Sequence, residues 1–342
     1  MKIRALFFLL ALSSPLLAAD KTDVPKNVIL LISDGAGVAH YTAAKYFRGA
    51  DFNIGRMTLV ALSTTNCADR TVTDSSAAAS ALATGVKVPY EAMSLEANGN
   101  APVTALEVAE KAGKRTGLVT TSYFYDATPG AFAAHVKDRH VFPPIIDQML
   151  KSGVDLIIGT DGGAMTKKEV SVPELAAQNG YTFVIDSAAL ANAKPGKLLA
   201  VFPEQENDLD VPGLPLAEMA RIALQRLRGS DKGFFVMIEH EGTDSSSHAN
   251  SRPDLQKALI SFDETVGVAL DFAKADGNTL VIVTSDHETG GMRLSESKTG
   301  KLRLEFSTIE HTASAVPLFA FGKGVGELTP GMSDDTDVGK TL

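Results

Sequence analysis

The sequence predicts an α/β protein with a doubly wound, largely parallel central sheet flanked by helices on both faces. Three observations carry that expectation. Short continuous apolar runs recur along the 342 residues, as strands buried on both faces require. Segments with helical signals separate them, the alternation that builds a parallel sheet. Acids and histidines stand at or just past the ends of the runs, where open α/β sheets gather their ligands.

Residues 1–19 stand apart from this alternation. Basic Lys2 and Arg4, the apolar Ala5–Leu12 and the closing Pro15–Ala19 read as a secretory signal peptide cleaved after Ala18 or Ala19. The apolar stretch is too short to span a bilayer. Residues 20–342 then read as a single domain.

The elements follow in order. Asn27–Ser33 is a strand that runs into Asp34-Gly35. His40 falls in the helix that Gly35–Gly37 opens and reads as packing. Thr73-Asp74-Ser75-Ser76 heads an alanine-rich helix stopped by Gly85. Thr104 and Glu107 form a capping box for a helix that ends at Gly113. Thr116–Ser122 and Val154–Gly159 are strands. Residues 140–230 carry Pro143-Pro144, Pro195-Gly196 and the acidic run 204–210. They read as loops and surface, decoration at the sheet edge in preference to a lid. Phe234–Ile238 is a strand leading into Glu239. Pro253 lies in the first turn of a helix whose Leu255, Leu259, Phe262, Val266 and Leu270 roughly follow the 3.6 period. Thr279–Ser285 is a strand leading into Asp286-His287, and Val316–Phe321 is the last strand. His311 precedes its strand, whereas the other acids and histidines follow theirs. Either that strand is antiparallel to the rest or its leading loop reaches over the carboxyl edge.

Composition narrows the function. The net charge is −9, and without Lys2 and Arg4 it is −11, with 30 basic residues against 41 acidic. That disfavours nonspecific binding to nucleic acid or anionic membranes. Cys67 is the only cysteine, so an internal disulfide is excluded.

Asp244 and His248 lie four residues apart, on one face if the segment is helical, and can chelate one cation. Asp286 and His287 are adjacent and can converge in the turn that Gly290-Gly291 allows. With Asp34 at the same edge they suggest two metal sites, a pairing that clamps both oxygens of a phosphoryl transfer. Carboxylates gathered this closely repel one another unless cations neutralise them. Ser75 at a helix N-terminus is either a cap or a nucleophile placed where backbone N–H groups favour an anion.

Six motifs in order now identify a resemblance. Asp34-Gly-Ala-Gly37, Thr73–Ser76, Asp126-Ala-Thr-Pro129 with Arg139, Asp244 with His248, Ser285–Gly291 and Glu310-His-Thr312 together resemble the alkaline phosphatases, from about residue 26 to 340. The resemblance implies an exported, periplasmic or secreted phosphomonoesterase with two Zn2+ and one Mg2+ per chain. One zinc would be held by Asp244, His248 and His311, the second by Asp34, Asp286, His287 and the Ser75 oxygen. Magnesium would take Asp34, Thr128 and Glu239, with Asp126 orienting its water. Ser75 would be the nucleophile and form a phosphoserine. Arg139 would grip the phosphate, held by Asp74. The implied substrates are a broad range of small phosphomonoesters, and the implied assembly is a homodimer. The Glu239-His240-Glu241-Gly242 run departs from the family pattern and leaves Glu241 as an alternative magnesium ligand.

Other readings weigh less. A sulfatase needs Cys or Ser in a Cys/Ser-x-Pro-x-Arg context, which neither Cys67-Ala-Asp-Arg70 nor Ser75-Ser-Ala-Ala supplies. A phosphodiesterase of this group usually lacks the third-metal ligands Thr128 and Glu239. A non-catalytic phosphate scavenger could dispense with Ser75, which is present.

Overall fold

The computed structural model describes residues 24–163, 171–203 and 214–342. The signal-peptide segment and the acidic run 204–210 lie outside the described residues. Ten strands form one sheet: β1 (Asn27–Ser33), β2 (Leu59–Thr64), β3 (Arg115–Tyr123), β4 (Leu156–Thr160), β5 (Thr182–Val184), β6 (Leu198–Phe202), β7 (Phe234–His240), β8 (Thr279–Thr284), β13 (Val316–Gly322) and β14 (Met332–Asp334). Two antiparallel pairs stand outside it, β9 (Glu288–Thr289) with β12 (His311–Thr312), and β10 (Arg293–Glu296) with β11 (Leu302–Glu305). The spatial order is β14-β2-β13-β8-β1-β7-β3-β4-β6-β5.

Every neighbour pair in the sheet is parallel except those of β13, which runs antiparallel to both β8 and β2. This resolves the placement of His311. The start of β13, not its end, lies at the edge where the other strands finish, so the chain delivers His311 there just before entering the strand.

Helices cover both faces because the central strands β1, β7 and β8 are buried at every position. Val28, Leu30 and Ile32 of β1 pack with Leu82, Leu106, Phe132, Ile145 and Val338 on one side. Ile29 and Leu31 pack with Tyr41, Met219, Leu224, Phe262 and Val266 on the other. The first face carries α2 (Ser75–Thr84), α3 (Ala105–Lys111), α4 (Ala127–Ala133), α5 (Phe142–Lys151), α6 (Val172–Gln178) and α11 (Asp335–Thr341). The second carries α1 (Val38–Arg48), α7 (Ser187–Asn192), α8 (Leu216–Leu227) and α10 (Arg252–Asp276). The short α9 (Gly242–His248) caps the carboxyl edge. Among the described helices none is long and apolar enough to cross a membrane.

Local signals account for several boundaries. Thr104 and Glu107 make the expected capping box of α3. α10 begins with Pro253 in its first turn and stops at Gly277 in the left-handed conformation, its period placing Leu255, Leu259, Phe262, Val266 and Leu270 in the interior. The stretch 140–230 contributes β4, β5 and β6 to one end of the sheet, together with the helices that cover it.

Candidate metal and phosphate site

The site is assembled at the carboxyl edge of β1, β7, β8 and β3. Asp34 follows β1 directly, and the turn beyond it needs glycine. Gly35 has φ +72°, and a Cβ there would lie 2.7 Å from Asp244 Oδ1. Asp286 and His287 follow β8, while α9 presents Asp244 and His248 one helical turn apart. His311 comes from β12, paired with Thr289 of β9.

Two donor clusters result, Asp34–Asp286–His287 and Asp244–His287–His311, each with ligand atoms within 4.8 Å of one another. In the first, His287 Nε2 is 3.3 Å from Asp34 Oδ1, 3.3 Å from Asp286 Oδ2 and 3.1 Å from Ser75 Oγ. His248 adjoins the second, its Nε2 3.1 Å from Asp244 Oδ2 and 3.2 Å from His311 Nε2. The rings of His287 and His311 stack at 3.6 Å, which places the clusters side by side.

Hydrogen bonds behind the rings decide which nitrogen faces the site. His311 Nδ1 meets the Thr73 carbonyl at 2.9 Å, and His248 Nδ1 meets the Ile309 carbonyl. A carbonyl only accepts, so both protons sit on Nδ1 in the neutral rings and both Nε2 lone pairs point inward. Thr289 Oγ1 donates to Asp244 Oδ1 and therefore accepts from His287 Nδ1, which turns His287 Nε2 inward too. Two imidazole lone pairs 3.2 Å apart beside a carboxylate call for a shared proton or a metal ion.

The electrostatics agree. Burial, then the neighbouring Asp286, Asp244 and Glu239, push the Asp34 carboxyl well above its ordinary range. Burial and Asp244 do the same to Asp286. Burial, followed by His311, pushes His287 well below the usual imidazole range. Burial opposes ionisation of Asp244, but the hydrogen bond from His248 and the nearby imidazoles outweigh it and hold that carboxyl low. The same bond raises His248 to about 9. Asp34 Oδ1, Asp286 Oδ2 and Thr128 Oγ1 are buried and accept or donate no hydrogen bond. Unpartnered oxygens of this kind, set among repelling acids and inward-facing imidazoles, fit a site built for cations.

Glu239 sits beneath them, its Oε2 accepting from Thr120, the residue opposite it in β3. Burial and then Asp126 push its carboxyl up to about 7. The Thr128 hydroxyl lies within electrostatic reach of this carboxylate without closing a hydrogen bond of ordinary length. Glu241 is half-buried as a residue, yet its carboxyl feels the same field and is raised to about 8 by burial and Asp244. Glu239 is the more enclosed of the two and faces Thr128; Glu241 leans toward Asp244.

The phosphate side of the site is organised by α2. Asp74 is its N-cap, accepting from the backbone N–H groups of Ser76 and Ala77. Asp74 also accepts from the Glu91 N–H at 2.9 Å and from Arg139 Nη1 at 3.3 Å. Arg139 Nη2 reaches Asp126 Oδ1 at 3.2 Å, and Ser122 donates to the other Asp126 oxygen at 2.6 Å. Burial opposes the Arg139 charge, but Asp126 and Asp74 more than compensate and keep it protonated. Ser75 is the first residue of α2, 6% exposed, with the helix N–H groups behind it.

All the residues singled out from sequence therefore meet at one edge. Sequence reasoning missed Thr120, Ser122 and Thr289, which orient Glu239, Asp126, Asp244 and His287, and it missed the Thr73 carbonyl. Each is placed by strand register: Thr120 lies opposite Glu239, and Thr289 opposite His311. The remaining histidines are structural. His40 links Gly37 N–H to Ser247, His135 bridges Ser94 and Glu107, His140 is exposed beside Asp138, and the buried His240 accepts from the Gly242 N–H at 3.1 Å.

A parallel α/β sheet whose carboxyl edge gathers acids, imidazoles and a helix-capping serine is the architecture of a metal-assisted hydrolase. The alkaline phosphatase family model matches residues 25–160 and 159–305. The chain is 32% identical to the alkaline phosphatase of Escherichia fergusonii, over 95% of this chain and 87% of that one. It is 31% identical to alkaline phosphatase 4 of Bacillus subtilis over 80% of this chain, a match spanning 64% of that relative's length. The solved structure of alkaline phosphatase from the Antarctic bacterium TAB5 superposes with a TM-score of 0.84 at 31% identity, covering 93% of this chain and 96% of that one. A mutant of the same Antarctic enzyme has been solved with magnesium in its M3 site, TM-score 0.82. The chain belongs to the alkaline phosphatase family.

Proposed function

We propose that the protein is an exported, metal-dependent phosphomonoesterase with Ser75 as nucleophile. One observation carries the reading. Ser75 Oγ lies at the head of α2, 3.1 Å from His287 Nε2 in the cation-seeking cluster, while Asp74 beside it holds the Arg139 guanidinium. The donor sets fit two zinc ions, one on Asp244, His248 and His311 and one on Asp34, Asp286, His287 and Ser75. The harder oxygen set of Asp34, Thr128 and Glu239, with Asp126 near, suits magnesium. When bound, such ions would supply positive charge to the attacking and leaving oxygens of the phosphoryl transfer.

The chain's own residues do the rest. Arg139, already oriented by Asp74 and Asp126, presents its planar fork to two phosphoryl oxygens, which a lysine could not copy. The N-terminal N–H groups of α2 favour the same anion. Ser75 Oγ attacks phosphorus in line, and the ester oxygen departs with the bonding pair. Water then cleaves the phosphoserine, releasing inorganic phosphate and restoring the Ser75 hydroxyl. Recognition that rests on the phosphoryl group supports a broad range of small phosphomonoesters. Residues 20–342 act as one catalytic domain, the leader-like residues 1–19 support a periplasmic or secreted location, and homodimerisation is proposed from family likeness.

The test is mass spectrometry of the protein quenched in acid during turnover. A single phosphoryl increment on the peptide bearing Ser75, lost in Ser75→Ala, is the expected result. Turnover without that increment would overturn the Ser75 assignment.

A further inference from the structure

Glu288 is a buried acid beside the site to which nothing so far gives a role. It is 3% exposed, and among the described residues no cation pairs with it. Its Oε1 accepts from the Met292 backbone N–H at 2.9 Å, and its Oε2 accepts from the Thr312 hydroxyl. Thr312 is opposite Glu288 in the β9–β12 ribbon and adjoins His311. The side chain also lies where a Cβ at Gly37 would stand 2.3 Å from Glu288 Cγ, so the backbone leading into α1 is kept bare to admit it.

We infer that Glu288 is a positioning residue that clasps the β9–β12 ribbon and thereby holds His311 at the Asp244–His248 cluster. Strand β9 is tied to the site by the Thr289 N–H on the Gly35 carbonyl and by the Thr289 hydroxyl on Asp244, whereas β12 is tied by His311 Nδ1 on the Thr73 carbonyl, and Glu288 is a side chain that joins the two strands. The ribbon is two residues long on each side, too short to be stable by pairing alone. The half-buried His311 reaches the site from its outer strand, whereas Asp244 is carried by a helix and Asp286 and His287 directly follow a core strand. A carboxylate accepting from both ends of the loop, at Met292 and at Thr312, closes the ribbon where pairing does not. Loosening it should affect His311 first, because Thr312 adjoins it, while Asp34 follows β1 and Asp286 is held by the Gly35 N–H, both independent of the ribbon.

The inference rests on the zinc reading above, and its test separates the two. Zinc affinity is measured by competition with a chromophoric chelator on the metal-stripped full chain. The variants are Glu288→Ala, Glu288→Gln, Thr312→Val and the double variant Glu288→Ala/Thr312→Val. In Glu288→Ala one zinc should bind 10- to 100-fold more weakly and the other should change less than threefold. Glu288→Gln can accept from Met292 N–H and donate to Thr312, so its affinity should stay within about threefold of the parent. The double variant should lose no more than the worse single one, since both substitutions break one contact. Parent affinity in Glu288→Ala, equal weakening of both zincs, or additive losses would each overturn the clasp. A parent chain that binds no zinc would instead overturn the metal reading on which it stands.

Discussion

Asp74→Ala is the sharpest perturbation of the phosphate side, because one carboxylate serves three neighbours. Removing the N-cap of α2 costs about 1 kcal/mol. Leaving the Glu91 N–H, now paired at 2.9 Å, without its acceptor costs about 1–3 kcal/mol more. The total is about 2–4 kcal/mol, and at about 2.1 cal/mol/K of unfolding entropy per residue it lowers Tm by roughly 3–6 °C. Activity should fall as well. Arg139 keeps only its Asp126 contact at 3.2 Å and swings toward it, a displacement that should cost roughly 10- to 100-fold in kcat/KM. Asp74→Asn separates the two effects. Asparagine caps a helix as well as aspartate, so most of the stability should return while the ion pair to Arg139 does not. The assay is thermal melting beside steady-state kinetics on a chromogenic phosphomonoester. A Tm unchanged in Asp74→Ala, or full activity in Asp74→Asn, would refute the reasoning.

Further expectations follow from the same geometry. Ser75→Ala should fold, retain inorganic phosphate binding by calorimetry, and lose turnover by at least about 10³-fold. Gly35→Ala forces a left-handed alanine, at about 1–2 kcal/mol, with its Cβ 2.7 Å from Asp244 Oδ1; weaker zinc binding and a lower Tm should appear together. Metal-stripped protein should lose stability as pH rises. Glu239 and Glu241 have folded-state values of about 7 and about 8, above their ordinary 4.5, so the folded state holds protons that the unfolded state releases. Stability is then fully present below about pH 4.5 for these two groups and declines up to about pH 8. Bound cations should flatten this slope, and melts from pH 5 to 9 with and without zinc and magnesium would show it.

Much of the site is legible in the sequence because its ligands sit where apolar runs end. Burial at every position of β1, β7 and β8 gives runs that cannot be mistaken for amphipathic helices, and the residue after each run must lie at the edge. The reversed direction of β13 was one of two readings, since nothing local distinguishes an antiparallel strand from a parallel one. Strands β2, β5, β6 and β14 of the main sheet were not anticipated. β2 alternates buried and exposed positions at an end of the sheet, β5 has three residues, and β6 follows a proline-glycine turn that reads as loop. Thr120, Thr289 and Glu288 stayed hidden for a different reason: their roles depend on cross-strand register, which exists only once the chain has folded.

The central claim is that this edge hydrolyses phosphomonoesters with the help of bound cations. It is tested most directly by assaying p-nitrophenyl phosphate and its bis ester side by side on zinc- and magnesium-loaded protein at alkaline pH. Strong monoester turnover, abolished by EDTA and far above diester turnover, is the predicted result. A preference for the diester, or monoester turnover that survives EDTA, would contradict the account.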